Sequence, residues 1–127
     1  MTLRSLLVDD SLRFLAAARE LLEREGIEVV GTACTIDEAV RLAGALRPDV
    51  CIVDIDLGDE SGFDLARRLA EPGGEQRVLL ISAYPERDFS DMIADSPALG
   101  FLPKPELYAA RIRAMLATDH GGAPPLA

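Results

Sequence analysis

Short apolar runs alternate with amphipathic stretches along almost the whole chain. Residues 3–8 predict a strand that is apolar on both faces, as in a covered parallel sheet. Residues 11–25 predict a helix with Phe14, Ala18, Leu21 and Leu22 on one stripe and Arg19, Glu23 and Arg24 opposite, closed by Gly26. Residues 27–31 predict a second strand. Thr35-Ile36-Asp37-Glu38 has the form of a capping box. The helix it opens is expected to bury Ile36, Ala39, Val40 and Ala43 and to stop near Pro48. Residues 50–53 predict a third apolar strand, 57–62 a loop, and 61–70 a third helix ended by Pro72-Gly73-Gly74. A fourth strand is expected over 78–81, a short helix over 88–95 before Pro97, and a fifth strand over 99–102. The last helix is expected over 106–117, with Leu107, Ala110, Arg111 and Ala114 on one side and Tyr108, Ile112 and Met115 on another.

Strand and helix thus alternate five times. Such alternation implies right-handed crossovers and an α/β fold with helices on both faces of a parallel sheet. For five strands the expected order is 2-1-3-4-5, the flavodoxin-like (βα)5 arrangement. Residues 1–117 are read as one domain and 118–127, rich in Gly and Pro, as a flexible tail or linker.

Composition narrows the function classes. A net charge of −9 argues against nucleic acid as a direct partner, because phosphate contacts need clustered Lys and Arg. No apolar run has the ~20 residues of a membrane span, and the N-terminal residues do not resemble a signal peptide, so a cytoplasmic location is expected. Cys34 and Cys51 lack metal-ligand spacing, and the lone histidine, His120, is in the tail. A thiol or zinc role is not expected.

The polar residues that end apolar runs change the picture further. Asp9 and Asp10 follow the first strand, Asp54 the third, Ser82 the fourth, and Lys104 the fifth. Lys104 is the only lysine beside twelve arginines, which suggests a task for a compact point charge rather than a planar fork. In a doubly wound sheet, ligands bind outside the carboxyl ends of the strands, where all of these residues belong. Three converging carboxylates need protons or a cation. Mg2+ suits them, since it takes oxygen ligands and a few carboxylates while keeping several waters. With Lys104 nearby and Asp54 as nucleophile, the set suits phosphoryl transfer. There is no Gly-rich phosphate cradle, so a nucleotide substrate is not expected.

On these residues the chain resembles the receiver domain of bacterial two-component response regulators over residues 3–117. The shared positions are the pair Asp9-Asp10, Asp54 in Val53-Asp54-Ile55-Asp56-Leu57, Ser82-Ala83 and Lys104-Pro105. The resemblance implies that Asp54 accepts a phosphoryl group from a sensor histidine kinase or phosphotransfer protein, giving an aspartyl phosphate. Asp10, Asp54 and the backbone carbonyl of Asp56 would hold Mg2+, and Asp9 would reach it through water. Lys104 would contact the phosphoryl oxygens, and its bond to Pro105 is expected to be cis. Ser82 would swing in to the phosphoryl group, and Phe101, at the aromatic switch position, would turn inward in step. Asp56 and Tyr84 would tune hydrolysis. The face formed by helix 4, strand 5 and helix 5 would then address a protein partner. Monomer and phosphorylation-dependent homodimer both stay open. No turnover enzyme is implied beyond self-catalysed phosphotransfer and autodephosphorylation.

The chain departs from the family pattern at Gly58, where the family usually has Pro; a looser loop is expected. Asp59 and Glu60 are expected to add negative charge beside the pocket, and Pro103 to stiffen the end of the fifth strand. Helix 4 is short and acidic. Three other readings compete with the stand-alone signalling module. The chain could be the receiver half of a transcription factor, or a receiver-like interaction module that never takes phosphate. A Mg2+-dependent phosphatase would use Asp56 as general acid, but a cap domain to shape a substrate pocket is not expected.

Overall fold

The computed structural model describes residues 2–71 and 76–117; the expectations for Pro72-Gly73-Gly74, His120 and the tail lie outside them. Five strands form one parallel sheet: β1 (Leu3–Val8), β2 (Ile27–Ala33), β3 (Val50–Asp54), β4 (Val78–Ser82) and β5 (Gly100–Pro103). Their order is β2-β1-β3-β4-β5, the flavodoxin-like order expected from the alternation. Five α-helices cover it: α1 (Leu12–Arg24), α2 (Ile36–Leu46), α3 (Gly62–Ala70), α4 (Ser90–Asp95) and α5 (Ala109–Ala117).

Each strand divides its side chains between two cores, because successive residues face opposite sides of a sheet. Leu7, Val50, Ile52, Leu79, Ile81 and Leu102 meet Leu15, Leu22, Ile112 and Leu116 of α1 and α5. Leu6, Val8, Cys51, Val53, Val78, Leu80 and Phe101 meet Ile36, Ala39, Ala43, Phe63, Ala66 and Leu69 of α2 and α3. Phe89 and Ile93 of the α4 region pack on that second core. The central strands β3 and β4 are buried throughout and carry their polar residues, Asp54 and Ser82, only at their carboxyl ends.

Three helices differ in detail from the sequence pattern. On α1 the buried stripe is Leu15, Ala18 and Leu22, while Phe14 and Leu21 are only half-buried. The last helix starts at Ala109 because Lys104–Glu106 forms a separate 3-10 turn, closed by the Leu107 N–H on Lys104 O at 3.1 Å. Its buried stripe is therefore Ala109, Ile112 and Leu116, and Ala110, Arg111 and Ala114 are exposed. The expected short helix over 88–95 divides into a 3-10 turn, Glu86–Asp88, and α4. Strand β2 runs two residues beyond its expected end, with an irregularity opposite Ser5 and Leu6 that absorbs Val30.

The peptide bond between Lys104 and Pro105 is trans, not cis as the resemblance implied. Pro105 lies in the first turn of the 3-10 segment, where its fixed φ and missing N–H are accommodated without a cis bond.

Two long-range contacts hold helix ends in place. Arg4 donates from its guanidinium to the Leu46 and Arg47 carbonyls at 2.8 and 2.9 Å, satisfying the C-terminus of α2. Glu25 accepts the Ala109 N–H at 2.7 Å and so ties the start of α5 to the end of α1.

Candidate functional site

The carboxyl ends of β1, β3, β4 and β5 meet around a cavity of about 180 Å³, lined by Asp9, Asp10, Asp54, Ser82 and Lys104, with Asp56 and Tyr84 also at its wall. All of the strand-end residues singled out in the sequence are thus brought together.

Asp9 is fully buried at the end of β1. Its Oδ1 accepts the Ser11 N–H at 2.8 Å, and its Oδ2 lies 2.7 Å from Lys104 Nζ. Ser11, not Asp10, caps α1, its Oγ accepting the Phe14 N–H at 3.1 Å. That leaves Asp10 exposed and uncommitted to the helix. Asp54 is buried; its Oδ1 accepts the Asp56 N–H at 3.0 Å, and its Oδ2 lies 2.9 Å from Lys104 Nζ. Lys104 therefore bridges two acids on neighbouring strands.

Burial raises the Asp54 pKa from 3.8 to about 6, with the Asp56 hydrogen bond and Lys104 opposing the rise and Asp9 adding to it. Burial pulls Lys104 downward, but hydrogen bonds and charge from Asp9 and Asp54 outweigh it, and its pKa is raised. Burial alone pushes the Cys51 thiol up to about 12, which makes it an un-ionised core side chain.

The donor set fits a hard divalent cation. One carboxylate oxygen each from Asp9, Asp10 and Asp54 lies within 4.8 Å of the others. The buried Asp9 Oδ2 receives no hydrogen bond of regular geometry; its charge is balanced only by the nearby ammonium. Mutual repulsion at this spacing is relieved by a cation with oxygen preference, of the size and charge of Mg2+.

Ser82 is buried, and its Oγ accepts the Tyr84 N–H at 2.9 Å. Tyr84 itself is exposed. Phe101 already lies inward, 5% exposed, in the core against α2 and α3; the inward turn expected to accompany a switch is the position it holds here.

The segment after Asp54 is not loose. Asp56–Leu57 pairs antiparallel with Glu60–Ser61 around Gly58 and Asp59. Gly58 has φ of +72° and Asp59 does not have positive φ, as in a two-residue turn of the II′ kind. Proline, fixed near −65°, cannot adopt this φ, so Gly58 tightens the turn that its flexibility was expected to loosen. Glu60 is held as well: its Oε1 accepts the Ile36 N–H at 2.9 Å at the start of α2.

Three contributors escape the sequence pattern. Phe14 places its ring 4.2 Å from Lys104 Nζ. Gly62 allows α3 to start directly beneath β3: a β-carbon there would lie 2.1 Å from Asp54 O. Its position at the start of a helix, just after a Ser cap, is the available signal. Glu60 is the third, and nothing local distinguishes it from an ordinary loop acid.

Residues 6–117 match the response regulator receiver domain. The transcriptional regulatory protein PdtaR of Mycobacterium tuberculosis is 31% identical over 102 residues, covering 80% of this chain and 49% of that protein. The chain spans about half the length of the curated relatives it matches first. A two-component response regulator of the LuxR family from Aurantimonas superposes with a TM-score of 0.82 at 30% identity, over 92% of this chain and 86% of that one. A Burkholderia pseudomallei response regulator, solved with a phosphorylated aspartic acid, a calcium ion and citrate, gives a TM-score of 0.78 at 31% identity, over 91% of this chain and 67% of that one.

Proposed function

Because the chain belongs to the response regulator receiver domain family, we propose that it accepts a phosphoryl group on Asp54, in a Mg2+-dependent reaction, from the phosphohistidine of a sensor histidine kinase or phosphotransfer protein. The observation that carries this reading is the arrangement of a buried Asp54 carboxylate 2.9 Å from Lys104 Nζ with Asp9 and Asp10 within carboxylate-clustering distance. A bond forms between an Asp54 oxygen and phosphorus as the phosphorus–nitrogen bond of the donor breaks, and the departing imidazole takes up a proton. With a pKa of about 6, Asp54 is mostly ionised at neutral pH and available as nucleophile.

Asp10, Asp54 and the Asp56 carbonyl would hold Mg2+, with Asp9 reaching it through water. When bound, the ion supplies charge neutralisation for the transferring phosphoryl oxygens. Lys104 keeps its bond to Asp9 and turns its remaining donors to the new anion. Ser82 exchanges the Tyr84 N–H for a phosphoryl oxygen, and Phe101 stays inward. Phosphorylation adds about −1.5 to −2 charge at one spot, which shifts the population of the loop after β4 and of the face formed by α4, β5 and α5. That face then addresses a downstream protein, or a second copy of the chain. Residues 1–117 act as the domain, with the chemistry limited to taking, holding and losing one phosphoryl group.

A second reading makes this the receiver part of a longer transcription regulator. It is favoured by the curated relatives, which are regulators about twice the length of the matched region. Among the described residues, no helix is long and apolar enough to cross a membrane; we place the reaction in the cytoplasm.

Intact-protein mass after incubation with acetyl phosphate and Mg2+ tests the proposal. The expected result is a gain of one phosphoryl group that disappears without Mg2+ and in Asp54→Asn. No gain with acetyl phosphate or a phosphorylated histidine kinase would overturn it in favour of a module read in its unmodified form.

A further inference from the structure

The hairpin that forms one wall of the pocket is too short to hold itself. Its ladder has two residue pairs, Asp56 with Ser61 and Leu57 with Glu60, and even a longer isolated two-stranded hairpin is marginal in water. Yet its placement matters on both sides of the pocket. The Asp56 N–H holds Asp54 Oδ1, and a β-carbon on Gly58 would lie 3.4 Å from Asp10 Oδ2. The base is anchored by the Gly62 N–H on Ile55 O at 2.7 Å. The outer strand is anchored by Glu60, through the Ile36 N–H at 2.9 Å.

We infer that Glu60 is a positioning residue of the cation and phosphoryl site. By holding the first amide of α2, it fixes the hairpin where Asp10, Asp54 and the Asp56 carbonyl can share one ion. The inference rests on the proposed use of this pocket for Mg2+ and a phosphoryl group. The physical basis is that the first amides of a helix lack internal partners and carry partial positive charge, so a carboxylate brought from another element is held there. Thr35 cannot replace it, because its Oγ1 is committed to the Glu38 N–H at 3.2 Å; Glu38 in turn accepts the Cys34 N–H at 2.9 Å, one residue earlier than a capping box requires. Cap and anchor are therefore separate bonds on one helix end, and separate substitutions can break them.

Amide hydrogen exchange on the metal-free protein, with calorimetric titration by MgCl2 alone, tests this on Glu60→Ala, Glu60→Gln and Thr35→Ala. In Glu60→Ala, exchange should quicken at Ile36 and also across residues 56–61, and the Mg2+ dissociation constant should rise about tenfold, the scale of one charge-assisted hydrogen bond. Glu60→Gln keeps an acceptor and should stay within about threefold of the parent. Thr35→Ala should lower the melting temperature and quicken exchange at Glu38 while leaving Mg2+ affinity unchanged. If Glu60→Ala quickens exchange at Ile36 alone, with unchanged Mg2+ affinity, Glu60 is only a helix cap and the inference falls. A parent protein that binds Mg2+ and gains a phosphoryl group in that case keeps the pocket reading intact; a parent that binds no Mg2+ overturns both.

Discussion

The Lys104 ammonium lies 4.2 Å from the centroid of the Phe14 ring, so the cation that bridges Asp9 and Asp54 also rests on an aromatic face. The ring comes from the first turn of α1 and the lysine from the turn after β5, far apart in the chain. The contact restricts a flexible four-carbon stem and keeps its charge between the two acids. A cation over an aromatic ring contributes about 0.5–1 kcal/mol at a partly exposed site. Phe14→Leu keeps apolar volume and removes that attraction. The expected outcome is a fall of about two- to fivefold in the rate of phosphorylation by acetyl phosphate, corresponding to that energy. Mg2+ affinity should be unchanged, because the phenyl ring of Phe14 supplies no oxygen ligand to a cation. An unchanged rate would show that the two acids alone position Lys104.

The metal-free protein should become more stable through this site as pH falls. Asp54 has a folded pKa of about 6 against 3.8 in an unfolded chain. A raised pKa means that the folded state binds the extra proton first. The stabilising contribution is therefore fully present below about 3.8 and lost as pH rises through about 6. At about pH 7.5 the buried charge therefore lowers stability relative to a protonated Asp54. Asp54→Asn carries no such charge and leaves Lys104 paired with Asp9. Urea unfolding in EDTA should find the Asp54→Asn variant more stable than the parent at about pH 7.5, with the difference shrinking toward about pH 4. Saturating Mg2+ should reduce or reverse the difference at the higher pH. Equal stabilities at both pH values would contradict the assigned shift.

How far the sequence can be read follows from where each signal lies. Strands β3 and β4 and the second half of β1 are buried on both faces, so Leu6–Val8, Val50–Val53 and Val78–Ile81 are unbroken apolar runs and the Asp9, Asp54 and Ser82 that follow stand out. Lys104 stands out by composition. Helix detail is harder. On α1, Phe14 and Leu15 are adjacent apolar residues, and periodicity does not say which one enters the core; the packing of α1 against Leu7 and Ile52 selects Leu15. The start of α5 depends on a 3-10 turn at Pro105, which shifts the buried stripe from the one expected. Glu60 is illegible for a different reason. Its partner, the Ile36 N–H, lies 24 residues away, and a backbone amide leaves no trace in a side-chain pattern.

Gly62 and Gly44 should respond in opposite directions to the same substitution. A β-carbon at Gly62 would lie 2.1 Å from Asp54 O and 2.8 Å from Ile55 Cα, both backbone atoms. Alanine there must push α3 away from β3, and overpacking of backbone against backbone costs about 3 kcal/mol or more. Since the displaced carbonyl belongs to Asp54, Mg2+ binding should weaken as well. Gly44 lies within α2 with nothing inside 4 Å of its added β-carbon. Alanine there should stabilise by about 0.5–1 kcal/mol through helix propensity. Denaturant midpoints of the two variants decide the matter; similar effects would mean that the approach of α3 to β3 is not as close as described.

The lifetime of the aspartyl phosphate should depend on Asp56 and Tyr84. Both residues line the cavity beside Asp54, and both side chains reach solvent. Hydrolysis needs a water in line with the phosphorus–oxygen bond to Asp54, and access to that line passes the pocket's solvent-facing wall. Tyr84 is large enough to obstruct it. Its backbone N–H is donated to Ser82 Oγ at 2.9 Å, the hydroxyl proposed above to turn to the phosphoryl group. Asp56 holds Asp54 through its N–H, leaving its exposed carboxylate able to orient a water or repel an anion. Tyr84→Ala should therefore shorten the half-life by opening the path, by several-fold, about the effect of 1 kcal/mol on a barrier. Asp56→Asn keeps the backbone bond and should change the half-life without changing Mg2+ affinity. Decay of the phosphorylated mass after rapid removal of the donor measures both. A double Asp56→Ala, Tyr84→Ala variant with the parent half-life would show that water reaches the phosphoryl group by another route.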